Sequence, residues 1–213
     1  MALKTYKTLL KRASDEFIIN KSRFIGYGAP AQTEEEALDF LAEVRSAHKD
    51  ASHNCYAYII GANMGVMRYS DDGEPGGTAG MPIIEVMKAR GVTNCAVVVT
   101  RYFGGILLGA GGLTRAYTKG AKDALDAAGI CRMGLWTLWS IPCSYGLYER
   151  LRLEIENCGG TVREVEYGAE ILLHAAFPAG GAERFAPRLT ELSAGSISMT
   201  AEGEEFLPGL RER

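Results

Sequence analysis

Residues 92–117, VTNCAVVVTRYFGGILLGAGGLTRAY, run from a β-branched apolar segment through a glycine-rich loop directly into a helix. The apolar segment ends at Arg101, and Tyr102 and Phe103 follow before the glycines begin. In many proteins, a strand that leads through glycines to the N-terminus of a helix presents backbone N–H groups to an anion. The stretch therefore predicts a strand–loop–helix unit with an anion site at its loop.

The predicted helix carries a basic stripe. Arg115, Lys119 and Lys122 are spaced at i, i+4 and i+7, so they share one face. The opposite face is predicted to be buried, because its residues are apolar: Leu113, Tyr117, Ala121, Ala124 and Ala128. The glycines and the neighbouring basic residues together predict a surface that binds nucleic acid or another anion, formed by Arg101, Gly104, Gly105, Gly109, Gly111, Gly112, Arg115 and Lys119.

A second interpretation of the glycines is purely structural, since glycine permits positive φ angles and close packing of a helix on a strand. The motif GxxxxGK[ST] is absent, which excludes a P-loop. The glycine spacing also departs from the dinucleotide-binding pattern GxGxxG with a distant acid.

An acidic loop precedes this unit, with the sequence SDDGEPGGTAG over residues 70–80. Three carboxylates within four residues could bind a hard cation or supply an acid/base pair, but they lack the spacing of an EF-hand. Asp and Gly also build turns through hydrogen bonds between side chain and backbone. If these acids pair with Arg101 or Arg115, the loop supports the first site through Ser70, Asp71, Asp72, Glu74 and Thr78.

His53 and Cys55 form a third candidate, with His48 five residues before His53. A cysteine beside a histidine suggests a nucleophile or a zinc ligand, but no further ligands occur at zinc spacing. We therefore expect a packed thiol beside a hydrogen-bonded histidine, and we predict neither a metal nor a cofactor.

Composition sets the class of protein. The 213 residues suffice for one large domain or two small ones, and the apolar fraction of 47% is ordinary for a globular protein. The sequence has five cysteines without CxxC spacing, no apolar run long enough to span a membrane and no signal peptide. These features predict a cytoplasmic protein with no membrane partner. Residues 135–213 carry 12 acidic and 7 basic side chains and no lysine, so any nucleic-acid contact must be a local patch in the first part.

The pattern of elements predicts two domains of α+β type, residues 1–133 and 134–213. In the first domain, we predict a turn at Asn20 and Lys21 between two paired strands, a capping box from Thr33 to Glu36 at the start of a helix, and a helix from about Pro82 that ends at Gly91. Strands and helices interleave without a strict rhythm, which favours helices on one face of a sheet. The second domain has the order βαββαβ of a ferredoxin-like fold. Its segments are a strand Leu135–Cys143, a helix capped by Ser144, strands Thr161–Tyr167 and Glu170–Phe177, a helix that contains Pro187, and a last strand Ser196–Thr200.

Three long motifs resemble those of the IMPACT/YigZ family: SHNCYAY at 52–58, SDDGEPGGTAGMP at 70–82 and VTRYFGGILLGAGGLTRAY at 99–117. Residues 21–25 also match an N-terminal strand of that family. The departures, Asn54 where a second His is frequent and Ala110 where Thr is common, leave the Arg and Gly positions intact. The resemblance implies a first domain of the ribosomal protein S5 domain 2 type. It also implies a second domain like the last domain of elongation factor G, a translation factor in which the two folds also occur in tandem.

The resemblance implies a role in translation. The resemblance implies that eukaryotic relatives regulate translation by interfering with activation of a starvation-responsive initiation-factor kinase, whereas this sequence looks like the bacterial form. We expect a non-catalytic accessory protein that binds RNA, the ribosome or a translation-related protein, because no complete set of nucleophile, base and orienting group is present. The alternative is a hydrolase or transferase that acts on a phosphorylated substrate through Asp71, Asp72 or Glu74.

Overall fold

The computed structural model describes residues 5–209, which form two compact units, one ending at Arg132 and one spanning Met133–Gly209. The first unit contains six strands and three helices in the order β1 (Thr5–Leu9), β2 (Ala13–Ile19), β3 (Ser22–Pro30), α1 (Glu34–Ala47), β4 (His53–Ile60), β5 (Val66–Ser70), α2 (Gly80–Arg90), β6 (Cys95–Tyr102) and α3 (Gly109–Ala128). The remaining elements are β7 (Ile130–Cys143), α4 (Tyr148–Asn157), β8 (Thr161–Tyr167), β9 (Ile171–Pro178), α5 (Gly181–Ser193) and β10 (Thr200–Pro208). None of the helices within residues 5–209 combines the length and apolar content needed to cross a membrane.

The first unit is built on a sheet with the strand order β2-β3-β6-β4-β5, in which all neighbours are antiparallel. Helices α2 and α3 pack on one face, but α1 packs on the other, so the prediction of helices on one face only is wrong. The reason lies in the central strand β6, which is apolar on both faces: Val97 and Val99 contact the α2/α3 core, and Val98 contacts the α1 core. A strand buried on both sides needs cover on both sides.

Local predictions in the first unit are confirmed. The β2–β3 hairpin turns at Asn20 and Lys21, both with positive φ. The Thr33 hydroxyl accepts a hydrogen bond from the Glu36 N–H at 3.1 Å and caps α1. Helix α2 ends at Gly91 in the left-handed conformation. The apolar face of α3 is buried as its spacing predicts.

Close packing of α3 on the sheet fixes where its N-terminus lies. A Cβ on Gly120 of α3 would stand 2.8 Å from Val99, and a Cβ on Gly26 of β3 would stand 2.2 Å from the Gly120 carbonyl oxygen. These two glycines let the helix backbone lie almost directly on β3 and β6. The first turn of α3 is thereby held beside the end of β6.

The second unit has the strand order β10-β7-β9-β8, with antiparallel neighbours, and its core contains residues of both α4 and α5. The predicted element order βαββαβ is confirmed. Ser144 does not cap a helix: its carbonyl accepts from the Leu147 N–H in a turn, and α4 begins only at Tyr148. The last strand is Thr200–Pro208 rather than Ser196–Thr200, because Ile197 and Met199 pack on the core in the segment that leads to it.

Candidate functional site

The acidic loop Ser70–Gly80 is organised around Asp71. One carboxylate oxygen, Oδ1, accepts from the backbone N–H groups of Ala79 at 3.0 Å and Gly80 at 2.8 Å, and Oδ2 accepts from Gly77 at 2.8 Å. The N–H groups of Ala79 and Gly80 lie at the start of α2 and have no carbonyl partner within the helix. The N-cap residue, Ala79, has no side chain that could accept from them, so Asp71 takes this role. Burial opposes ionisation of Asp71, but the three donors together outweigh it and lower the pKa of the carboxyl.

The lowered pKa of Asp71 predicts a specific acid sensitivity. A depressed pKa contributes stability that is present above the unfolded value of about 3.9 and is lost as the pH falls through the folded value. We expect the wild type to lose more of its free energy of unfolding between pH 5 and pH 3 than Asp71→Asn, which has no charge to lose. Urea unfolding at several pH values measures this difference; parallel curves for the two proteins would contradict it.

Asp72 ties the loop to β4 and α1. Its Oδ2 accepts from the Asn54 N–H at 2.7 Å, and its Oδ1 accepts from Arg45 at 3.0 Å. The Asp72 carbonyl oxygen accepts from His53 Nδ1 at 2.9 Å, so Nδ1 carries the proton and Nε2 of a neutral His53 does not. The remaining predicted loop residues hold the turn: Ser70 Oγ accepts from the Asp72 N–H, and Thr78 Oγ1 donates to the Pro75 carbonyl.

Glu74 and Arg101 form a buried ion pair. Arg101 Nη1 donates to Glu74 Oε1 at 2.7 Å, and the hydroxyl of Tyr117 on α3 donates to the same oxygen at 2.7 Å. The side chains of Arg101 and Glu74 are only 6% and 3% exposed. Glu74 therefore connects the acidic loop to β6 and to the buried face of α3, and the guanidinium of Arg101 lies inside the unit rather than on its surface.

The Arg101 guanidinium also lies between two aromatic rings. Its central carbon is 5.5 Å from the ring centre of Phe24 and 5.3 Å from that of Phe103. The Arg101 Nε–H is buried and has no hydrogen-bond acceptor. The contacts with the two rings are therefore the interactions on this side of the guanidinium that can offset the loss of water. Cation–π contacts of this kind contribute about 0.5–2 kcal/mol.

The glycine loop is fastened to the sheet at its start. The Phe103 N–H donates to Ser52 Oγ and the Gly104 N–H donates to Ser22 Oγ, each at 3.1 Å. A Cβ on Gly104 would lie 2.1–2.4 Å from backbone atoms of Lys21 and Ser22, so only glycine fits there. On either side of Gly104 the loop is exposed, with three large apolar side chains at the surface: Phe103, Ile106 and Leu107.

The basic residues that remain on the surface lie on α3. The helix begins at Gly109 with no side-chain cap and no acidic residue in its first turn, and Gly111 and Gly112 lie within that turn. Arg115 is exposed, with Nη1 3.6 Å from the position a Cβ would take on Gly111. Lys119 is also exposed, pairs with Asp123 at 2.5 Å and lies over the Phe17 ring.

The predicted residues therefore separate into two groups. Arg101 and the acidic loop form an internal support, whereas Arg115 and Lys119 are exposed, as are Gly109 and Gly111 at the start of α3; Gly112 is half-buried. Sequence reasoning missed the hydroxyl anchors Ser22 and Ser52, whose positions follow only from strand pairing. It assigned Tyr117 to the core but did not foresee its bond to Glu74.

His53 and Cys55 occupy the expected structural positions. His53 hydrogen-bonds to the loop, and its Nε2 lies 3.9 Å from Glu74 Oε2. Burial raises the pKa of the Cys55 thiol to about 12, and its Sγ donates to the Asp71 carbonyl at 2.9 Å. A thiol with this pKa is not a ready nucleophile. Among residues 5–209, no cluster of His, Cys, Asp and Glu has a metal-binding arrangement.

Comparison with known proteins matches residues 20–125 to the Impact N-terminal domain and residues 141–196 to a domain of unknown function, DUF1949. The chain is 37% identical to "IMPACT family member YvyE" of Bacillus subtilis over 95% of this chain and 93% of that protein. It is 38% identical to "IMPACT family member YigZ" of Escherichia coli over 86% of this chain and 91% of that protein. A solved structure described as that of a hypothetical protein matches 99% of this chain and 100% of its own, with a TM-score of 0.61 and 33% identity.

Proposed function

This chain belongs to the IMPACT family, and we propose that it is a non-catalytic accessory protein of translation that binds RNA, as free RNA or within the ribosome. The family is translation-related and regulatory, which motivates the cellular setting but names no ligand. A cytoplasmic location and contact with a translation-related protein belong to the same proposal. RNA as the ligand is supported by the exposed, positively charged start of α3.

The observation that carries the proposal is a set of positive charges without counter-charges around the glycine loop. Within residues 5–209, neither Arg115 nor Lys21 forms an ion pair, and the backbone of Lys21 lies against Gly104. The uncapped first turn of α3 adds the partial positive charge of a helix N-terminus, with no acid to offset it. Phosphate is the ligand that such a surface favours.

The local patch is consistent with the overall charge of −3, because the acidic excess lies in the second unit. A protein of this charge would bind RNA through few phosphate contacts, so the salt slope of its affinity should be modest, about 0.7 for each phosphate contacted on a single strand. Binding is therefore expected at low ionic strength and should weaken as salt rises.

The test is the double substitution Arg115→Ala/Lys119→Ala. We expect about a 10-fold loss of RNA affinity at low salt, and a salt slope shallower by about 1.4 if each residue contacts one phosphate of a single strand. Filter binding with RNA and with purified ribosomal subunits measures both quantities. Lys49→Ala/Lys88→Ala is the matched control, because it removes the same charge from exposed positions elsewhere in the same unit, the turn after α1 and helix α2.

Two results would contradict the proposal: no binding of RNA or ribosomal subunits by the wild type at low salt, or an unchanged affinity of the double variant. A loss of equal size in the Lys49→Ala/Lys88→Ala control would show that net charge, rather than this patch, governs binding.

The alternative, a hydrolase or transferase that uses the acidic loop, has less support. The carboxylate oxygens of Asp71 and Asp72 already accept hydrogen bonds from the loop, β4 and α1. Glu74 is buried against Arg101, which leaves its Oε2 and His53 Nε2 as the remaining acid/base pair, 3.9 Å apart. Activity toward a panel of phosphorylated substrates that disappears in Asp72→Ala would favour this alternative.

A further inference from the structure

Phe103 has an exposed aromatic ring whose position is fixed by contacts with Arg101 and Ser52. Nearly half of the residue's surface, 47%, is open to solvent. The Arg101 guanidinium lies over the ring at 5.3 Å and is itself fixed by Glu74. The Phe103 N–H is bonded to Ser52, so the backbone that carries the ring is also fixed.

The surroundings of the ring combine apolar surface with positive charge. Ile106 and Leu107 follow in the same loop, and Leu107 is 84% exposed. Lys21 and Arg115, which form no ion pair within residues 5–209, lie on the segments that border the loop, the β2–β3 turn and the first turns of α3. Phe103, Ile106 and Leu107 lie within five residues of one loop, and exposed apolar side chains grouped in this way beside polar residues are typical of a contact surface.

We propose that Phe103 is a stacking platform for an unpaired base, and that the RNA recognised here is single-stranded; this rests on the proposed function and names its ligand class. Proteins that bind single strands combine an aromatic platform for the base with cations for the backbone, as Phe103 combines with Arg115 and Lys21. In a duplex the bases are already paired and stacked, so none is free to stack on the ring.

The proposal also gives the acidic loop a role beside a basic surface. Glu74 fixes the Arg101 guanidinium, and the guanidinium supports one side of the Phe103 ring. The carboxylate is buried, so it holds the platform without presenting negative charge to RNA.

The experiment measures fluorescence anisotropy with a labelled 12-nucleotide oligouridylate and with a 12-base-pair RNA duplex, at low salt. We expect the wild type to bind the single strand more tightly than the duplex. Phe103→Leu keeps an apolar side chain but removes the ring, and should weaken single-strand binding roughly 5- to 150-fold, the range that stacking contributes, with little change for the duplex. Phe103→Trp should bind at least as tightly as the wild type.

Tyr69→Leu is the matched control, since it removes another exposed aromatic ring from the same unit. If Phe103→Leu binds the single strand like the wild type while Arg115→Ala/Lys119→Ala weakens it, the stacking inference is overturned and the proposed function stands. If the wild type binds neither RNA, both are overturned. A loss shared by Phe103→Leu and Phe103→Trp would overturn stacking in favour of a shape-specific apolar contact.

Discussion

Replacing Glu74 with alanine is expected to lower the free energy of unfolding of the first unit by about 3–5 kcal/mol, the cost of removing one partner from a buried ion pair. The substitution leaves the Arg101 guanidinium buried without its carboxylate, since that side chain is only 6% exposed. It also removes the acceptor of the Tyr117 hydroxyl on α3. The loss is therefore expected to affect β6, α3 and the acidic loop together.

The two tryptophans of the chain allow this effect to be assigned to one unit. Trp136 and Trp139 both lie in the second unit, so their fluorescence reports its unfolding, whereas far-UV circular dichroism follows both units. We expect Glu74→Ala to shift the circular dichroism transition of the first unit and to leave the tryptophan transition in place. Glu16→Ala is the control, because it breaks the exposed pair with Arg23 and should cost less than about 1 kcal/mol.

A double variant separates the buried charge from the packing around it. Glu74→Gln/Arg101→Met removes both charges while keeping side chains of similar length, and should be more stable than Glu74→Ala. A loss in Glu74→Ala no larger than that in Glu16→Ala would mean that the pair is exposed in solution.

Local rules predicted the parts of this fold that depend on near neighbours in sequence. The Thr33–Glu36 cap, the turn at Asn20 and Lys21 and the end of α2 at Gly91 each involve residues at most a few positions apart. The buried and exposed faces of α3 follow from helical spacing alone. These features needed no knowledge of which strands pair.

From the sequence, an acid of the loop can pair with Arg101 or Arg115, but local rules cannot select Glu74 and Arg101 as the pair. An arginine at the end of a strand, next to glycines and a basic helix, has the local signature of an anion ligand. Its actual partners, Glu74 and Phe24, come from the loop before α2 and from β3. Only the pairing of β6 with β3 and β4 brings these segments together. The strand β10 escaped prediction for a related reason: its exposed, glutamate-rich sequence lacks alternation and is specified by pairing with β7.

The close approach of the glycine loop to the β2–β3 turn predicts the second large effect, for Gly104→Ala. The added Cβ would lie 2.1 Å from the carbonyl carbon and 2.2 Å from the carbonyl oxygen of Lys21, distances that no rotamer change can relieve because both atoms belong to the backbone. The loop must leave the turn or the turn must distort, and either change breaks the bond from the Gly104 N–H to Ser22 Oγ. We expect a loss of about 3 kcal/mol, at the upper end of the cost of overpacking, and a loss of single-strand RNA binding.

Gly105→Ala is the matched control for Gly104→Ala, because it adds the same methyl group one residue later. Gly105 has φ +82° but no neighbouring atom within 4 Å of its Cβ position, so alanine there costs backbone strain of only about 1 kcal/mol. Amide hydrogen exchange distinguishes the two variants directly: the Phe103 and Gly104 amides, bonded to Ser52 and Ser22, should exchange faster in Gly104→Ala than in Gly105→Ala. Equal exchange and equal stability in the two variants would mean that the loop does not rest against the turn, and the platform at Phe103 would then lose its fixed backbone.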